Sequence, residues 1–260
     1  FEMYCLGHTG HTATDKVSQS FSYHEQTTHK LFLLRKHIFG TLGDRRVIFV
    51  GHSIGAWICI DMIRQLCVTE EPQVQAVLCL FPTLMHIGST PNGKTLGPWI
   101  GNYVFREASA ALIRCVNACC FRRCLFRLVQ WAQQGRMDAV DAQVTVEKLL
   151  HPDVVRNTMY MGDGEMRLMG KLDSKTIRKH AHKFFFYYGR NDGWTEPLEV
   201  HVSEVRKAIG DVYMARLDEM VRVDKHNIPH ACTLAPTVKL LARVLVQEFV
   251  RCPWILSKST

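Results

Sequence analysis

The sequence predicts an α/β fold, a mostly parallel sheet flanked by helices, on three observations. Short apolar runs alternate with longer stretches of helical periodicity along the chain. One of those runs, Val47 to Val50, leads through a tight Gly-His-Ser-Ile-Gly turn straight into a helical pattern. The chain has 260 residues, 47% of them hydrophobic, which is enough to bury one substantial core. A single domain over residues 1–260 is therefore expected.

Each element follows from its own pattern. Phe1 to Leu6 reads as a strand that ends in the turn Gly7-His8-Thr9-Gly10-His11. Glu25 to Phe39 reads as an amphipathic helix, with Leu31, Leu34 and Ile38 at helical spacing and Gly40 and Gly43 stopping it. Arg46 to Val50 is a strand rich in β-branched residues, and the segment after Gly55 is a helix carrying Ile58, Met62 and Leu66. Val74 to Phe81 is a buried strand broken by Pro82; Phe184 to Tyr188 is another, ending at Gly189; Met220 to Val223 is the last. Arg243 to Val250 closes the chain as a helix, and no internal repeat or low-complexity linker divides it.

Composition narrows the function classes. The formal charge of +8 suits an anionic partner, yet there is no zinc finger, RNP-like motif or repeated Lys/Arg block, so nucleic acid is set aside. The ten cysteines are scattered and form no C-x-x-C pair, which reads as reduced thiols in a cytosol-facing protein. No uninterrupted apolar run reaches the ~18 residues that a spanning helix needs.

The sharpest motif is Gly51-His52-Ser53-Ile54-Gly55 between a strand and a helix. A Gly-x-Ser-x-Gly turn forces the serine into strained backbone with its hydroxyl standing above the sheet, and small glycines let strand and helix approach. This reads as the nucleophile elbow of an α/β-hydrolase fold, with the Ile54 amide at the helix N-terminus expected to donate to an oxyanion. The bland alternative is a chance match in an ordinary glycine turn. In this fold the triad partners follow in the order serine, acid, histidine. Asp192 lies on the loop after the Phe184–Tyr188 run, where it can orient an imidazole; the alternative is a turn aspartate bonding its own backbone before Gly193. Asp163, between Gly162 and Gly164, is a second candidate acid, but no strand precedes it. His230 is the candidate base because it follows the last strand and precedes the final helix, with His226 close enough to compete. His52 reads as a packing residue of the elbow.

Several segments resemble one family. The elbow, Phe81-Pro82-Thr83, Ser89-Thr90-Pro91-Asn92-Gly93, the Phe-Tyr-Tyr-Gly run before Asp192-Gly193-Trp194, and Asn227-Ile228-Pro229-His230-Ala231 together are similar to those of the lipid droplet-associated hydrolases. The resemblance extends from the first predicted strand almost to the end of the chain. It implies the triad Ser53, Asp192 and His230, a lipid-ester substrate with sterol esters among the possibilities, and residence on lipid droplets and the endoplasmic reticulum. No metal or organic cofactor is expected.

Between elbow and acid this fold commonly inserts a lid, here expected over about residues 95–170. Trp99 to Trp131 carries Arg106, Arg114, Arg122, Arg123 and Arg127 with one acid, Glu107, interleaved with Tyr103, Phe105, Leu112, Ile113, Phe121, Leu125, Phe126 and Leu128. Such a stretch suits a droplet or membrane surface, cations beside lipid phosphates; the alternative is a cap packed on its own domain. Cys115, Cys119, Cys120 and Cys124 fall in the same stretch, where packing is the first reading and S-palmitoylation the second. The fold normally sets several strands and a second oxyanion donor well before the elbow. That loop is expected to be missing from this chain, which reads as N-terminally incomplete or as a reduced variant of the fold. The function expected is lipid-ester hydrolysis by a serine enzyme. Two alternatives stay open: a weakly active droplet-surface scaffold, and a thioesterase or acyltransferase using the same triad.

Overall fold

The apolar run Val47–His52 forms strand β1, Val74–Leu80 forms β2, Phe184–Tyr188 forms β3 and Val221–Val223 forms β4. Among the described residues they make one four-stranded sheet in chain order, every neighbouring pair parallel. The structure is a computed structural model and describes residues 2–13, 19–119, 122–132, 137–232, 234 and 237–250. Parallel neighbours cannot be joined by tight hairpins, so each connection crosses over through helix. Helix α1 (Tyr23–His37) precedes β1, and α2 (Ile54–Gln65) joins β1 to β2. Among the described residues six α-helices separate β2 from β3: α3 (Pro91–Ile100), α4 (Tyr103–Ala118), α5 (Arg122–Ala132), α6 (Ala139–Val144), α7 (Pro152–Leu168) and α8 (Ser174–Lys179). Helices α9 (Leu198–Ile209) and α10 (Leu217–Met220) lead to β4, and α11 (Thr237–Leu245) follows it.

Strand β3 shows why its run of aromatics reads as buried. All five of its residues are covered, as a parallel strand with helices on both faces requires. Phe185 and Tyr187 point to one face, where the Phe249 ring lies 6.0 Å from each. Phe184 and Phe186 stack on each other at 5.9 Å on the opposite face. Burial of each such ring stabilises the fold by roughly 1.5–3 kcal/mol. The site therefore stands on a rigid sheet.

Three expectations change. Residues 2–8 form no strand. Their segment is held by side chains of α1 instead: Lys30 Nζ donates to the Gly7 carbonyl (3.2 Å), and the Gln26 amide exchanges hydrogen bonds with the Thr9 backbone (2.9 and 3.0 Å). Only Leu6 of this stretch packs on the core, so the alternating burial that pays a strand's desolvation is absent. Helix α1 starts before Glu25 because Ser22 caps it: Ser22 Oγ accepts the Glu25 N–H, and the Glu25 carboxylate accepts the Ser22 N–H. The closing helix begins at Thr237 rather than Arg243 and widens into a π-turn over Val246–Val250.

Candidate active site

Ser53 lies at the turn from β1 into α2 with φ 55° and ψ −123°. Backbone of this kind costs about 1–3 kcal/mol and persists only where its surroundings impose it. The constraint is visible at Gly51, where a Cβ would lie 2.4 Å from the Gly55 carbonyl oxygen and 2.6 Å from the Ala56 nitrogen. Gly55 differs from the sequence expectation, since a Cβ there would meet nothing within 4 Å. Close approach of strand and helix thus requires only the first of the two motif glycines. The Ser53 N–H donates to the Leu80 carbonyl of β2 (3.0 Å), and the Ser53 carbonyl accepts from the Ala56 N–H (3.0 Å). Ile54 opens α2, so its N–H is one of those a helix leaves without an intrahelical partner.

His230 and Asp192 meet Ser53. His230 Nε2 lies 2.9 Å from Ser53 Oγ, and His230 Nδ1 lies 2.7 Å from Asp192 Oδ2. Asp192 Oδ1 accepts the Trp194 N–H (3.0 Å), so both carboxylate oxygens are engaged. The acid's side chain is 1% exposed and the imidazole 21%. A buried carboxylate on Nδ1 holds the proton there, which leaves the Nε2 lone pair of the neutral ring facing the serine hydroxyl. Gly189, the glycine before the acid loop, is needed for space: a Cβ would lie 2.9 Å from the Phe81 ring and 3.2 Å from Asp192 Cβ. The Phe81 ring in turn lies beside His230 and His52, at 6.2 and 6.1 Å between centroids.

The competing candidates stand elsewhere. Asp163 is in the middle of α7, where Arg167 donates to it at 2.5 Å. His226 is exposed, and its backbone N–H binds Asp224 Oδ1 (3.1 Å).

Two polar duties escaped sequence reasoning. His52 does more than pack, because its Nε2 donates to the His230 main-chain carbonyl at 2.7 Å. Burial first, and the neighbouring His230 imidazole second, lower the His52 pKa. Its partner lies 178 positions away, and no local pattern signals such a bond. The segment from Ser89 to Gly93 also bears on the site. Thr90 caps α3 by accepting the Gly93 N–H (3.1 Å), and the Asn92 N–H donates to the Gly193 carbonyl of the acid loop (3.1 Å). A Cβ on Gly93 would lie 2.0 Å from the Ile87 carbonyl oxygen. The motif therefore docks the first helix after β2 against the loop that carries Asp192.

Helices α4 and α5 hold the basic stretch. Helix α4, whose Ala110 is fully buried, packs on α7, and the Glu107–Arg156 ion pair (3.0 Å) joins the two. Away from that contact Val104, Leu112, Leu128 and Trp131 are exposed, the last at 67%. Arg114, Arg123 and Arg127 on the same two helices are exposed as well. Cys115, Cys119 and Cys124 are exposed and unpaired rather than packed. Cys120, Phe121 and the Arg122 side chain lie outside what the structure describes. Among the described residues no helix is long and apolar enough to cross a membrane.

Comparison with known proteins follows the same line. The family described as lipid-droplet associated hydrolase matches residues 1–233. The human lipid droplet-associated hydrolase is 27% identical over 254 residues, covering 89% of this chain and 70% of that protein. The Gallus gallus protein of the same name is 27% identical over 259 residues, covering 94% of this chain and 74% of its own. Among solved structures, N-formylmaleamic acid deformylase from Pseudomonas putida superposes with a TM-score of 0.54 at 11% identity, covering 90% of this chain and 77% of that one. This likeness shows the fold, which is that of the α/β-hydrolases.

Proposed function

Because the chain belongs to the lipid-droplet associated hydrolase family, we propose that it is a serine hydrolase of carboxylic esters, acting on lipid esters through Ser53, His230 and Asp192. The observation that carries the reading is the continuous relay of hydrogen bonds from Ser53 Oγ through His230 to the buried Asp192, at 2.9 and 2.7 Å. His230 Nε2 takes the Ser53 proton as the hydroxyl oxygen attacks the ester carbonyl. The Ile54 N–H receives the developing oxyanion. The imidazolium, stabilised by Asp192, passes its proton to the leaving alcohol, and the acyl group stays on Ser53. Water then gives a proton to His230 and its hydroxide to the acyl carbon; as the bond from the acyl carbon to Ser53 Oγ breaks, the imidazolium returns that proton to Oγ, which frees the fatty acid and restores the serine.

Sterol esters and acylglycerols are the substrate classes proposed, and the cytosolic faces of lipid droplets and endoplasmic reticulum the place of work. Support comes from the relatives' name and from α4 and α5, whose exposed apolar side chains stand among arginines. A surface of that chemistry suits a phospholipid monolayer, with guanidinium groups at the phosphates. Exposed Cys115, Cys119 and Cys124 would be within reach of acylation there.

Fluorophosphonate labelling tests the reaction. The parent is expected to label at Ser53 and to turn over esters; Ser53→Ala and His230→Ala are expected to lose labelling, and turnover to fall by about 10⁴-fold or more. Equal labelling of Ser53→Ala and the parent would remove the nucleophile. A parent that neither labels nor turns over would leave a droplet-surface scaffold.

A further inference from the structure

Asp224 is fully buried one residue beyond β4, and it is engaged on every side. Its N–H donates to the Tyr188 carbonyl at 2.7 Å, which continues the β3–β4 pairing. Its Oδ1 accepts from the Tyr187 hydroxyl (2.5 Å) and from the His226 N–H (3.1 Å), while Oδ2 accepts from the Ile228 N–H (2.7 Å). Its own carbonyl accepts from Arg190 Nε at 3.4 Å. Between the two bound amides Asn227 takes the left-handed φ of 56°, and its Oδ1 accepts from Asn191 Nδ2 at 2.8 Å.

A buried carboxylate is costly to desolvate and is retained where several donors converge on it. Here the donors come from two places: the Tyr187 hydroxyl of β3, five residues ahead of Asp192 in the chain, and the loop that reaches His230 two residues after Ile228. We infer that Asp224 is a positioning residue for the reaction proposed above, fastening the histidine loop to β3 so that His230 stands between Ser53 and Asp192. It touches neither substrate nor the reacting atoms. His52 grips the His230 carbonyl from the nucleophile side, and Asp224 grips the loop from the sheet side. Loss of the Asp224 carboxylate would free the Ile228 and His226 amides together and let the imidazole drift, and misplacement by about 1 Å is enough to cost on the order of 100-fold in rate.

The test compares Asp224→Ala, Asp224→Asn and Tyr187→Phe with the parent and Ser53→Ala by two readings. Hydrogen–deuterium exchange is followed in peptides from 225–230 and from β2, and fluorophosphonate labelling is resolved into its final extent and its rate constant. Asp224→Ala is expected to speed exchange at 225–230 while β2 stays protected, and to lower the labelling rate constant 10- to 100-fold at unchanged final extent. Asp224→Asn retains one acceptor oxygen and should recover part of the rate; Tyr187→Phe, which keeps both amide bonds, should lose less than Asp224→Ala. A merely structural role would lower the extent, the fraction of folded molecules, and leave the rate constant of the remainder intact; that result would overturn the inference. Parental rate in Asp224→Ala beside an unreactive Ser53→Ala would overturn the inference alone. Parental labelling of Ser53→Ala would overturn the triad and this inference with it. Should Asp224→Ala not fold, the other two variants carry the same comparison.

Discussion

At the scale of single residues, the two glycines of the elbow have unequal tasks. Gly51 faces the backbone of Gly55 and Ala56 at 2.4–2.6 Å, and backbone cannot move aside as a flexible side chain would. Gly51→Ala must push β1 and α2 apart, at a cost of about 1–3 kcal/mol or more. Gly55 has open space at its Cβ position and lies inside a helix, where alanine is favoured by about 1 kcal/mol over glycine. Thermal unfolding should show the midpoint of Gly51→Ala lowered by roughly 3–10 °C, with Gly55→Ala unchanged or higher. Equal midpoints for the two variants would refute this division of labour. The strained Ser53 depends on the same contact, so Gly51→Ala should also label more slowly.

At the scale of an element, α7 holds a carboxyl whose ionisation is opposed by burial. Burial pushes the Glu165 carboxyl up to about 8, against an ordinary value near 4.5. Between those values the folded protein holds a proton that the unfolded chain has released. The stability tied to that proton is complete below about pH 4.5 and is lost as pH rises through 8. Glu165→Gln keeps the size and hydrogen-bonding capacity without the ionisation. Its thermal midpoint relative to the parent should rise steadily from pH 5 to pH 9; a pH-independent difference would show that Glu165 ionises freely. Helix α3 makes a complementary case, since its capping residue Thr90, the Asn92 amide and the crowded Gly93 fit one loop and one turn. Its sequence is thus explained by docking, where helix propensity alone would reject Gly93, Gly97 and Pro98.

At the scale of the whole molecule, the sheet is closed over by helices while α4 and α5 keep apolar side chains in solvent. Leu112 and Trp131 are 63% and 67% exposed, on helices that also bear Arg114, Arg123 and Arg127. Covering each of these large side chains would contribute roughly 1.5–3 kcal/mol. The double variant Leu112→Glu/Trp131→Glu is therefore expected to float with artificial triacylglycerol droplets at least 10-fold less than the parent, while hydrolysis of a soluble short-chain ester is unchanged. Undiminished flotation would place the contact elsewhere on the surface.

The chain order of the strands, the β1–turn–α2 unit and the aromatic β3 are all written in local periodicity, because a residue's burial in a strand or helix repeats within a few positions. The same holds for the order of Ser53, Asp192 and His230, each on a loop that leaves a predicted strand. The rest was decided only when the sheet assembled. Residues 2–8 have strand-like composition but pair with no strand among the described residues, and α1 side chains hold them instead. The bonds from His52 to His230, from Asn92 to Gly193 and from Tyr187 to Asp224 join residues far apart in sequence. Such bonds depend on which strands lie side by side and on the height at which their loops leave the sheet, and neither quantity has a period that a single sequence displays.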